Sequence, residues 1–71
     1  MTESQNFLTV NGNPYPHTRG MTVASLIAAV YDNPEVVVAE VNAEIVPRDQ
    51  YTQIPLNPGD VVELVHFVGG G

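Results

Sequence analysis

Cysteine, lysine and tryptophan are all missing from this chain, and apart from two histidines its only basic side chains are Arg19 and Arg48. Without cysteine there is no disulfide to staple the fold and no thiolate to serve as nucleophile or metal ligand. Stability must come from one core, and a reducing, cytoplasmic setting is the default expectation. Eight carboxylates against two arginines leave a net charge of −6. Neutralising a phosphate backbone takes clustered Lys and Arg, so nucleic acid is not an expected partner. No stretch approaches the roughly 20 apolar residues of a membrane span, and no charged start leads into an apolar run at the N-terminus, so no membrane association is expected either. Seventy-one residues can bury only about 60% of the surface the unfolded chain exposes, which leaves no room for a deep cleft. No nucleophile and base pair, phosphate loop or cluster of metal ligands stands out. His17 has no visible metal partner, so zinc is not expected. The chain reads as a protein that binds no cofactor of its own and is not an independent enzyme.

What is present is organised by turns. Residues 1–6 are polar and read as a flexible tail. Phe7 to Val10 begins an extended run, Asn11-Gly12-Asn13-Pro14 is a strong turn signal, and residues 15–18 should return as the second arm of a hairpin. Pro14 and Pro16 place that arm at a sheet edge, since proline cannot donate to a ladder. Thr22 is a good N-cap, and Val23, Leu26, Ile27 and Val30 fall at helical spacing, predicting a helix over 23–31 that Asp32-Asn33-Pro34 ends. Residues 35–42 are rich in valine, and Asn42-Ala43-Glu44 turns the chain into Ile45-Val46 as an antiparallel partner. Beyond them, Tyr51, Ile54 and Leu56 should tuck an irregular loop against the core. Asn57-Pro58-Gly59-Asp60 is a turn that launches the last strand.

The order strand, strand, helix, strand, strand, loop, strand fits one mixed sheet of about five strands wrapped on a single helix, with the last strand in the middle beside the first. That arrangement is an α+β fold, a ubiquitin-like β-grasp. Residues 1–71 make a single domain.

The functional signal sits at the end. Val61-Val62-Glu63-Leu64-Val65-His66-Phe67-Val68 runs as an apolar strand to within three residues of Gly71, and Gly69-Gly70-Gly71 follows. A strand this apolar must be held in a sheet, so the glycines are an anchored, flexible tail. Lacking Cβ, they can thread a narrow channel and reach roughly 10 Å past the strand. Period-two reading places Val62 and Leu64 on one face and Glu63, Val65 and Phe67 on the other. Val65 and Phe67, with Val36 and Val38, are then candidates for an exposed docking patch beside the tail. His66 alternates with Val62 and Leu64 and reads as a structural residue at a sheet end. The absence of lysine and cysteine means that an activated terminal carboxylate would meet no side-chain amine or thiol of its own chain.

Val41-Asn42-Ala43-Glu44-Ile45-Val46-Pro47-Arg48, Leu56-Asn57-Pro58-Gly59-Asp60 and the stretch from Val61 through the glycine end together resemble the thiamine-biosynthesis sulfur carriers, the ThiS family. The likeness covers nearly all of the chain after the N-terminal tail. The related small subunit of molybdopterin synthase typically closes with paired prolines before its glycines, where this chain has His66-Phe67-Val68-Gly69. Ala43, where the family often has glycine or a polar residue, and a third terminal glycine are departures. The resemblance implies that the Gly71 carboxylate is adenylated by an E1-like enzyme using ATP and Mg²⁺. A persulfide-carrying sulfur donor then converts it to a thiocarboxylate, and thiazole synthase receives the sulfur. Gly69 and Gly70 would give passage into the partner, and Val65 and Phe67 would dock. A sulfur carrier for molybdopterin or cysteine synthesis, a ubiquitin-like modifier that forms amides with lysines, and an interaction domain with an incidental tail are the other readings.

Overall fold

A computed structural model describes residues 6–31 and 37–66. Strand β1 (Phe7–Val10) turns back into β2 (Asn13–Pro16), helix α1 (Val23–Val30) follows, and β3 (Val37–Val41) pairs with a two-residue β4 (Glu44–Ile45). A single 3₁₀ turn at Arg48–Gln50 precedes β5 (Val61–His66). The sheet order is β2-β1-β5-β3-β4, with β5 parallel to β1 and antiparallel to β3. The last strand is therefore central, as the order of elements predicts.

The hairpin is tighter than the four-residue turn signal suggests. Asn11 and Gly12 both have positive φ, 51° and 85°, the backbone of a two-residue turn whose twist matches its strands. The second arm thus starts at Asn13 rather than Tyr15, with Val10 opposite Asn13 and Phe7 opposite Pro16. Alternation in an antiparallel ladder then turns the nitrogens of Pro14 and Pro16 outward, where a missing N–H leaves β1 unaffected. Beyond the strand, the His17 N–H donates to the Asn6 carbonyl at 2.7 Å, continuing the same parity. The second turn is also shorter than expected. Asn42 and Ala43, at φ 53° and 72°, make the whole connection and leave Glu44 inside β4; the left-handed conformation is strained for Ala43, which has a Cβ.

Helix α1 begins at Thr22, whose hydroxyl accepts from the Ser25 N–H at 3.2 Å while the Ser25 hydroxyl accepts from the Thr22 N–H at 2.9 Å. This reciprocal cap satisfies donors a helix start leaves open. Two more are met by the long loop, since Val23 and Ala24 donate to the carbonyls of Ile54 and Tyr51 at 3.1 and 2.9 Å. The helix stops one residue earlier than predicted: Tyr31 is extended at φ −126°, ψ 148°. The Asp32-Asn33-Pro34 stop signal lies outside the described residues.

Val23, Leu26 and Ile27 of the helix meet Leu8 and Val10, Val37 and Ala39, and Val62 and Leu64 from the sheet, with Val46, Tyr51 and Leu56 closing the core. Every second residue of the three central strands faces inward, the period-two pattern of a sheet covered on one side.

Candidate functional site

The face of the sheet turned away from α1 carries Phe7 and Thr9 of β1, Val61, Glu63 and Val65 of β5, Val38 and Glu40 of β3 and Ile45 of β4. Phe7, Val61, Val65 and Ile45 are 46%, 47%, 48% and 68% exposed. Val38 lies directly across from Val65, so these two form a cross-strand apolar pair next to the end of β5. Glu40 faces Glu63 one step further in, a like-charge pair that opposes folding and favours a cation above it. The structure thus places Val65, one of the candidate docking residues, on the open face. Phe67, Val36 and the glycines Gly69, Gly70 and Gly71 lie outside the described residues.

His66, the last residue of β5, pairs with Val37 on the β3 side. Its ring stacks on Tyr31, with centroids 4.7 Å apart and planes 21° from parallel. On the β1 side the ladder runs out at Val62, whose carbonyl accepts from the Asn11 N–H at 2.9 Å. From there the Asn11 side chain takes over. Its Oδ1 accepts from the Leu64 N–H at 2.8 Å, and its Nδ2 donates to the Leu64 carbonyl at 3.3 Å, so one amide stands in for the next residue of a neighbouring strand. Tyr51 does the same on the far edge of β3, where its hydroxyl donates to the Val37 carbonyl at 2.9 Å and accepts from the Ala39 N–H at 3.2 Å. The expectation that Tyr51 tucks the loop against the core holds, and the hydroxyl adds an edge cap.

Neither role is visible in the sequence beforehand. A sheet-end position for His66 follows from alternation, but its partner does not, because Tyr31 reaches it only through the docking of helix on sheet. Asn11 reads simply as a turn residue. The other histidine sits at the opposite end of the sheet, where the His17 Nε2–H donates to the Leu56 carbonyl at 2.7 Å. A carbonyl only accepts, so the proton is on Nε2.

Among the described residues no group of three or more His, Asp or Glu side chains is placed to hold a metal ion. No helix there is long and apolar enough to cross a membrane. A groove of about 370 Å³ between β2 and α1 is lined by residues that include Tyr15, Arg19, Met21, Ser25 and Leu26. None of its lining residues belongs to β5.

One helix held against a mixed sheet whose first and last strands run parallel at the centre defines the ubiquitin-like β-grasp class. Within that class, a model of the ThiS family matches residues 8–71, and the chain belongs to this family. It is 40% identical over 50 residues to the sulfur carrier protein ThiS of Bacillus subtilis, covering 70% of this chain and 76% of that protein. A thiazole synthase of Paramagnetospirillum magneticum is 39% identical over 64 residues, or 90% of this chain. That stretch is 20% of the enzyme, and a similar match makes up 19% of the thiazole synthase of Magnetococcus marinus, so the chain spans about a fifth of those relatives' length. The crystal structure of the thiamine biosynthesis protein ThiS from Geobacter metallireducens superposes with a TM-score of 0.72 at 35% identity, covering 92% of this chain and 99% of that one.

Proposed function

We propose that this chain is a sulfur carrier for thiamine thiazole synthesis, acted on by partner enzymes and not itself a catalyst. The single observation that carries the reading is that the family match runs through residue 71, so the glycine end belongs to the family's own pattern. An α-carboxylate is ionised at neutral pH and needs no base to act as a nucleophile. The Gly71 carboxylate attacks the α-phosphate of ATP on an E1-like adenylating enzyme, releasing pyrophosphate and leaving an acyl-adenylate. Mg²⁺ and basic groups of that enzyme stabilise the charge. The terminal sulfur of a persulfide on the donor protein then forms a bond to the carbonyl carbon as AMP leaves. Cleavage of the resulting S–S bond by a thiol frees the thiocarboxylate. Gly69 and Gly70 admit the end into the partner's site, while Val65 and Phe67 dock outside it.

Thiazole synthase is the acceptor. The two relatives named thiazole synthase carry a stretch similar to this chain within a longer polypeptide, and tethering raises the effective concentration of two parts that must meet. That arrangement supports the pairing. A soluble cytoplasmic setting fits the pathway, since both adenylation and persulfide chemistry draw on ATP and thiols.

Intact mass decides the proposal. Incubated with ATP, Mg²⁺, a persulfide donor and the adenylating enzyme, the chain should gain the difference between one sulfur and one oxygen. Deleting Gly71 should abolish the gain and leave the unfolding temperature nearly unchanged. Amide-linked adducts on other proteins would instead make it a modifier, and a large fall in stability on the deletion would make the end structural.

A further inference from the structure

We infer that the stack of His66 on Tyr31 positions the end of β5, so that the partner meets a strand end already set in place. The inference rests on the carrier reading and adds two residues to it. His66 is the last described residue before the chain leads to the glycines. On the β1 edge the ladder runs out at Val62 and the Asn11 amide reaches only Leu64. On the other edge His66 is opposite Val37, the first residue of β3. Among the described residues, strand pairing thus supports His66 from one side, through Val37. The remaining support comes from beneath, where the Tyr31 ring lies 4.7 Å away and nearly parallel. Offset stacking of this kind fixes two rings relative to each other. Tyr31 is a firm base because its own N–H closes the helix on the Ile27 carbonyl at 2.8 Å. The stack therefore ties the end of the central strand to the C-terminal end of α1.

The open face argues that this matters for binding. Val65 and Val38 sit on the other side of the same strand end, so a partner docking there presses on residues that the stack backs. If the strand end frays in the free protein, docking must order it again, and ordering a residue's backbone weakens association by about 5- to 30-fold. The chemistry at the chain end lies several residues away and is not touched. Tyr31 and His66 are positioning residues, and their loss should appear in KM and not in kcat.

The experiment compares Tyr31→Ala and His66→Ala with Tyr31→Phe and His66→Phe in ATP-pyrophosphate exchange by the adenylating enzyme. The alanine variants should raise KM for the carrier about 5- to 30-fold with kcat within about twofold. Both phenylalanine variants, which keep a stacking ring, should match wild type. Unchanged KM in the alanine variants overturns the inference, and so does loss of activity in the phenylalanine variants, which would assign the hydroxyl or the imidazole nitrogens a different role. If wild type itself supports no exchange, the carrier reading fails and the positioning claim is judged on the free protein. There, faster amide exchange at Val65 in the alanine variants supports the stack as the tether, and unchanged exchange overturns it.

Discussion

At its start β5 has backbone partners on both sides, with the Thr9 N–H donating to the Asp60 carbonyl at 2.9 Å and the Asn42 N–H to the Val61 carbonyl at 2.7 Å. Asn42 then adds its side chain, accepting from the Val61 N–H at 3.0 Å and donating to the Asp60 carboxylate at 3.1 Å, while that carboxylate accepts from the Asn57 N–H at 2.8 Å. At its other end, three side chains do the work of absent strands: the Asn11 amide on Leu64, the Tyr51 hydroxyl on the rim of β3, and the Tyr31 ring under His66. An end with backbone partners on both sides keeps those bonds when one side chain is lost. An end closed by side chains can be loosened by one substitution while the core stays intact, and in this protein that is the end leading to the glycines.

Tyr51→Phe should break the comparison hardest. It strips a buried carbonyl and a buried N–H of their shared partner without emptying the core, and should destabilise by about 1 to 3 kcal/mol in urea titration. A loss below about 0.5 kcal/mol would show that the hydroxyl is not needed as an edge cap. Asn11→Gly comes next. Glycine keeps the positive φ of the turn, so the variant isolates the two bonds to Leu64; with that site only part-buried, the expected loss is about 1 to 2 kcal/mol. Amide exchange at Leu64 should rise in step. Asn42→Gly sharpens the contrast at the other end. Its bonds are exposed to water, so a loss of about 0.5 to 1 kcal/mol is expected, with exchange at Val65 unchanged. Equal loosening of Val65 by Asn42→Gly and Asn11→Gly would erase the distinction between the two ends.

Much of this was legible in the chain. Thr22 announced the helix start, since a hydroxyl before an apolar-periodic run satisfies a local donor. Valine alternation named the faces, and the two prolines of β2 named an edge. Turn lengths were read one or two residues too long because Asn11 and Asn42 enter the left-handed region themselves, a freedom that sequence alone ascribes first to glycine. The outward positions of Val65 and Val38 followed from period two, whereas their lying directly opposite each other needed the register.

Local chemistry was thus set by the sequence itself: which segments extend, which coil, where the chain turns, and that it leads to a run of glycines in a chain with no lysine or cysteine. Tertiary structure alone decided which distant side chains complete the strand before that end. Asn11 lies 53 residues from Leu64, and Tyr31 meets His66 only after the helix has packed across the sheet. Hydrogen-bonding groups and ring faces are written in every residue, but their partners are chosen by the docking of whole elements, and no short-range pattern encodes that choice.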